Sequence, residues 1–131
     1  MEKFDPRTIS NPVCISLQEL RAKNQADNNK LKEQKNQAVE LYTYLATWGM
    51  LRLKAEEQAL NQEGKKQIVK EFFKILQNLS KIENIGGIQG LKTLQTLSVD
   101  DYLGLTGLGL KLAEEFSFWA NAIYHDIKGD N

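Results

Sequence analysis

The amino-acid sequence predicts an all-α fold, a helical bundle of about four to five helices with one long N-terminal helix. Three observations predict it. Leu105, Leu108, Leu112, Phe116, Trp119, Ile123 and Ile127 recur at steps of three and four, which places them on one stripe of a helix. Leu103, Leu110, Ala113, Phe118, Ala120 and Tyr124 widen that stripe past half the circumference, so this helix needs cover from more than one side. No stretch alternates apolar and polar residues with β-branched enrichment, as a strand would. The expected cover is the apolar block 38–53, with Tyr42, Tyr44, Leu45, Trp48 and Leu51.

Taken in order, residues 1–15 are expected to be extended and partly disordered, because Pro6 and Pro12 disfavour helix in and before them. Residues 16–131 are expected to form a single helical bundle domain. Ser16-Leu17-Gln18-Glu19 matches a capping box, in which the serine oxygen accepts a first-turn N–H and the glutamate reaches back to the serine amide. From 17 to 48 no glycine or proline interrupts the chain, so the helix is expected to continue towards Leu60, about 65 Å at ~1.5 Å per residue. A break near Asn28-Asn29 is the alternative. The half 21–37 is polar and is expected either to project into solvent or to dock on a partner. Gly49 inside this helix costs roughly 1 kcal/mol against alanine. Close packing against another helix accounts for it best, and a hinge is the competing account.

Residues 61–64 read as a turn, with Gly64 suited to a left-handed conformation. A helix follows over about 65–81, its buried face marked by Val69, Phe72, Leu76 and Leu79 and widened by Ile68 and Ile75. Residues 85–90 form a glycine loop and 91–97 a short helical piece. Ser98, Asp100 and Asp101 cap the last helix, their acids suiting its positive end. The tail 129–131 ends it. Gly104, Gly107 and Gly109 weaken that helix, which is explained by another backbone approaching closely or by a start later than Asp100.

Lysine plus arginine number 17, as do aspartate plus glutamate, so no net charge draws the molecule to nucleic acid and any such role needs a local basic face. The single cysteine, Cys14, excludes an internal disulfide and suits a reducing cytosol. The opening MEKFDPRTISNPV is polar and broken by Pro6 and Pro12, so no amino-terminal signal is expected, and no run approaches the ~18–20 apolar residues that cross a bilayer. The expectation is a cytoplasmic protein without membrane contact.

No catalytic or cofactor signature is present, and no enzymatic activity is expected. His125 and Asp126 are adjacent, so on a helix they point apart and make no ready dyad; a histidine near a helix carboxyl end is the simpler account. A di-metal carboxylate bundle needs Glu-x-x-His pairs, but position 122 is alanine and there is no second histidine. Glu56, Glu57, Glu63, Glu114 and Glu115 therefore read as solvated faces. Gly86, Gly87 and Gly90 follow no strand and precede no Gly-Lys-Ser/Thr, so they form a connection rather than a phosphate loop. The remaining candidate is a basic row. Lys66, Lys70 and Lys74 sit four apart, followed by Lys81, at a spacing able to track successive phosphates. Arg21, Lys23, Lys30, Lys32 and Lys35 add to the basic surface. Against this, lysines on a solvated helix face are ordinary, and Glu71 interrupts the patch. Trp48, Phe116 and Trp119 are candidate walls of a small-molecule pocket, or simply core.

The stretch SVDDYLGLTGLGLKLAEEFSFWA at 98–120 resembles the closing helix of the small all-helical subunit of type III CRISPR effector complexes. In that family an acidic-Tyr-Leu opening leads into a leucine-rich helix with a late tryptophan. LATWGMLRL at 45–53 is similar to the family's earlier core helix. After Trp119 the family pattern turns basic, whereas this chain continues NAIYHD. The resemblance implies a non-catalytic filament subunit of an antiviral ribonucleoprotein, partnered by other protein subunits and supporting the guide RNA–target duplex through its phosphates. It carries over no individual binding residue. The alternative from the residues is a protein–protein interaction or regulatory module that uses 21–37.

Overall fold

A computed structural model describes residues 5–128, and all of its regular structure is helical. The helices are α1 (Arg7–Lys23), α2 (Asn28–Trp48), α3 (Met50–Ala59), α4 (Glu63–Ser80), α5 (Gly90–Thr96) and α6 (Val99–Ile123). The expected bundle is present with six helices, because the long N-terminal helix is divided into three. The expectations for residues 1–4 and for the tail 129–131 lie outside the described residues.

The expectation of an extended segment up to residue 15 is corrected from Arg7 onward. Helix α1 begins at Arg7 and carries Pro12 in its interior. An interior proline costs about 3 kcal/mol. Ile9, Val13, Leu17 and Leu20 nevertheless share one buried face. Each such side chain recovers about 1.5–3 kcal/mol when covered, so together they outweigh the proline. The capping box is corrected with it: Ser16 lies within α1, its hydroxyl buried with no hydrogen-bond partner among the described residues.

The first break comes at residues 24–27. Asn24 turns its side-chain amide back to the Leu20 carbonyl (2.7 Å), and Asp27 caps α2 by accepting the Lys30 N–H (3.0 Å). The second break is Gly49, whose φ of +90° no other residue adopts without strain. Its N–H still donates to Leu45 and its carbonyl accepts from Leu53, so one residue ends α2 and starts α3. A Cβ added there would meet nothing within 4 Å, so conformation rather than close packing explains this glycine. Close packing explains Gly64 instead. It lies inside α4 rather than in a left-handed turn, and its absent side chain lets α4 reach α2, where Glu33 accepts the Gly64 N–H (2.9 Å).

Helix α6 runs from a Ser98 cap, whose oxygen accepts the Asp101 N–H (3.1 Å), straight through its three glycines. Only Gly109 is a tight approach, to the Met50 side chain; Gly104 and Gly107 face open space. Its buried face is Leu105, Gly109, Leu112, Ala113, Phe116 and Ala120. Leu108, Trp119, Ile123 and Ile127 of the expected stripe are half-buried, and Leu103 and Phe118 are exposed. Helix α2 covers one flank antiparallel to α6, with the Ser117 hydroxyl donating to the Val39 carbonyl (3.1 Å) and the Tyr124 hydroxyl to the Gln34 side chain (2.6 Å). The Tyr102 hydroxyl accepts the Leu51 N–H of α3 (3.1 Å). Helix α1 covers the other flank in parallel, joined by Ser10–Glu115 near one end and Arg21–Asp126 near the other. Helix α4 supplies the floor, where Phe72 packs against Phe73 and Phe116.

The glycines of α4 and α6 separate cleanly in consequence. A Cβ at Gly64 would sit 2.5 Å from the Lys30 carbonyl oxygen, which is backbone and cannot swing away. Gly64→Ala is expected to lower unfolding stability by about 1–3 kcal/mol. Gly107→Ala, in open space on a helix, is expected to raise it by about 0.5–1 kcal/mol. Urea unfolding followed by circular dichroism reads both; equal effects of one sign would refute the packing of α4 on α2.

Candidate nucleic-acid interface

The nine cations singled out from the sequence fall into two groups. Lys66, Lys70 and Lys74 belong to α4, and Lys81 follows as its C-cap in the left-handed region (φ +64°). The buried face of α4 is Ile68, Val69, Phe72, Phe73, Ile75 and Leu76. At 100° per residue Lys70, Lys74 and Lys81 lie opposite that face and Lys66 at its edge. Lys70, Lys74 and Lys81 are exposed, Lys66 is half-buried, and none of the four forms an ion pair among the described residues.

The second group is largely occupied. Arg21 forms a bidentate pair with Asp126 (2.6 and 2.7 Å), donates to the Ile123 carbonyl and lies over the Tyr124 ring. Lys35 donates to the Ile127 carbonyl (2.6 Å). Both cations thus satisfy carbonyls at or just beyond the C-terminal end of α6, where positive charge is favoured. Lys30 and Lys32 are half-buried on α2, Lys32 has a partner of its own, and Lys23 is exposed in the last turn of α1. The segment 21–37 therefore does not project as an arm. Its Leu31 and Gln34 are buried, and the Gln34 side chain accepts from the Tyr124 hydroxyl (2.6 Å) while donating to Gln67 (2.8 Å).

Beside the lysine row lies a cleft of about 410 Å³, bordered by Lys70 and Lys74 on one side and by Gly86, Gly87 and Ile88 on the other. Gln77 builds it. Its side-chain oxygen accepts the N–H groups of both Ile85 and Gly86 (2.9 Å each), which folds the glycine loop back onto α4. A Cβ at Gly86 would lie 3.5 Å from the Lys74 Cα. Glu57 also reaches this cleft, its carboxylate held by buried Lys54 at 3.2 Å, while Lys54 lies over the Phe73 ring. Glu71 is the second acid there. The loop 85–90 was legible from Gly86, Gly87 and Gly90, whereas nothing in the sequence marked Gln77 as its anchor or Ile88 as a border of the cleft.

A second groove, about 470 Å³, runs between α1 and α6 and contains both Cys14 and His125. They occupy different levels of it. Cys14 precedes Arg21 by seven residues, about 10 Å along a helix, and Arg21 is the residue tied to Asp126 beside His125. This spacing is too long for a thiol–imidazole pair. Trp48, Phe116 and Trp119 lie in different settings: Phe116 is wholly buried, Trp119 lines this groove, and Trp48 is half exposed beneath Arg52 (4.3 Å). Among the described residues, no group of three or more His, Cys, Asp or Glu is placed to hold a metal, and no helix is long and apolar enough to cross a membrane. Comparison with known protein families, curated proteins and solved structures yields no match.

Two titrations test the closure around the end of α6. The hydrogen-bonded Arg21 guanidinium draws the Asp126 carboxyl down to about 2. A depressed carboxylate pKa contributes stability above the ordinary carboxylate range, and that stability is lost as pH falls from about 4 towards 2. Asp126→Asn is expected to flatten the acid limb of a urea-stability profile over that window. Burial pushes the Tyr124 phenol up from its ordinary value. Its contribution is present below about pH 10 and is lost above it, as the unfolded phenol ionises first. Tyr124→Phe is expected to abolish that alkaline loss. It also costs about 1–3 kcal/mol at neutral pH, because the Gln34 oxygen loses its donor.

Proposed function

We propose that this chain is a non-catalytic helical subunit of a larger assembly that touches RNA through its backbone phosphates, using the outer face of α4. This is the role implied by the resemblance to the small subunit of type III CRISPR effector complexes. The observation that carries it is the row Lys66, Lys70 and Lys74 on one helix, Lys70 and Lys74 turned away from the core and Lys66 at its edge, all three unpaired among the described residues. Lysines held this way are point charges that neutralise phosphates without reading bases. The subunit part of the reading draws on apolar surface that the bundle leaves uncovered: Val99, Leu103 and Phe118 on α6 are each more than 60% exposed. The interaction-module alternative is weakened at the segment it relied on, since the cations Arg21 and Lys35 of 21–37 are bonded within the bundle.

The test is salt dependence. Binding of a single-stranded RNA is expected to weaken steeply with added salt, with a log–log slope of roughly −0.7 for each phosphate neutralised. The triple variant Lys66→Ala/Lys70→Ala/Lys74→Ala is expected to reduce the magnitude of that slope by about 2. An unchanged slope removes α4 as the contact. Absence of RNA binding by the parent chain removes the RNA reading altogether.

A further inference from the structure

We infer that the cleft between α4 and the glycine loop seats one unpaired nucleotide of a single-stranded RNA, its phosphate on Lys70 and Lys74 and its base against Ile88. This rests on the reading of the α4 lysines as an RNA contact, adds a seat to it, and puts a single strand where the resemblance implies a duplex.

Four features of the cleft converge on such a ligand. Lys70 and Lys74, one helical turn apart, border the same recess, so two cations serve one anionic group. The opposite wall is main chain at Gly87, where an added Cβ would meet nothing within 4 Å, so a ligand can approach the backbone closely. The loop is already folded: the Gln77 oxygen takes two of its N–H groups, and the ordering cost of that wall is met before a ligand arrives. At the lip stands Ile88, 83% exposed, the most exposed large apolar side chain among the described residues. Apolar surface in such a position gains when a flat, weakly polar group covers it, and a nucleobase is such a group.

Charge and size agree. The Glu57 carboxylate at the cleft is already matched by Lys54, which leaves Lys70 and Lys74 against Glu71 alone. A volume of about 410 Å³ lies within the usual range of about 300–1,000 Å³ for small-ligand sites. A duplex keeps its bases stacked inside and would offer Ile88 only backbone, so the geometry selects a single strand. An anionic lipid surface would also attract the lysines, but the apolar residue here edges a concave recess rather than crowning a convex face.

The experiment titrates the full chain into a labelled oligouridine, into the same strand annealed to oligoadenosine, into free uridine monophosphate, and into phosphatidylcholine vesicles containing phosphatidylserine. Ile88→Ala and Lys70→Ala/Lys74→Ala are compared with the parent; both alter exposed side chains, and circular dichroism confirms their folding. Ile88→Ala is expected to weaken single-strand binding about five- to tenfold with the salt slope unchanged. The double lysine variant is expected to lower the slope, and the duplex is expected to bind more weakly and to ignore Ile88. If RNA binding follows the lysines but not Ile88, or if duplex binds as tightly as single strand, the nucleotide seat is wrong while the α4 reading stands. Uridine monophosphate binding as tightly as the strand makes the cleft a free-nucleotide site and overturns the inference. So does Ile88-dependent binding to vesicles in place of RNA. No RNA binding at any salt removes both readings together.

Discussion

Helix α6 is apolar around most of its circumference, and water cannot be left on such a surface at low cost. Every other large element is arranged to relieve that constraint. Helix α1 lies parallel along one flank, α2 antiparallel along the other, and α4 closes the floor with Phe72 and Phe73. Because three helices must meet one, their polar groups become trapped between them. The chain Tyr124–Gln34–Gln67 answers this by passing hydrogen bonds from the end of α6 through α2 to α4. Unmade, those bonds would leave buried donors and acceptors at a cost of about 1–3 kcal/mol each. Satisfied, they fix how far α2 and α4 slide along α6, since a shift of one turn would separate all three groups.

The same constraint explains what the sequence made legible and what it hid. Periodicity located α4 and α6 well, because Val69, Phe72, Leu76, Leu105, Leu112 and Phe116 report burial directly. The Ser98 cap and the short helix before it were legible for a similar reason, as local chemistry with a local outcome. The division of the long N-terminal helix was legible only as alternatives, a break near Asn28-Asn29, where α2 begins, and a hinge at Gly49, where α3 begins. Asp27 is a good cap, yet nothing near it breaks a helix, and Gly49 reveals its need for a positive φ only when the backbone is seen. Pro12 misled in the opposite direction. Its local cost is real, but α1 has a face of four aliphatic residues whose burial depends on α6, nearly a hundred residues away.

The candidate site divides along the same line. The lysine row was readable because four-residue spacing on an amphipathic helix fixes its direction relative to the core. The roles of Arg21 and Lys35 were not, since both depend on where the end of α6 comes to rest. Nor was the cleft, which exists because one glutamine, Gln77, holds a glycine loop that its own helix precedes by only a few residues. Counting charges along a chain therefore overstates its basic surface. Subtracting the cations that neutralise helix ends leaves a smaller and more localised field around α4.

The order of the elements carries a consequence for the protein's birth. The helix at the centre of the bundle is the last of the six to be synthesised, and both flanks that cover it are made first. During translation α1, α2 and α4 emerge with their apolar faces turned towards a partner that does not yet exist. Contacts spanning more than a hundred residues, such as Ser10 to Glu115, form only after α6 has cleared the ribosome. Helices α2 and α4 can meet earlier through Gln34–Gln67 and Glu33–Gly64, but the faces left for α6 stay exposed and are the kind that chaperones hold. Folding is thereby coupled to completion of α6, and truncation before Phe116 leaves α1, α2 and α4 without the surface they share.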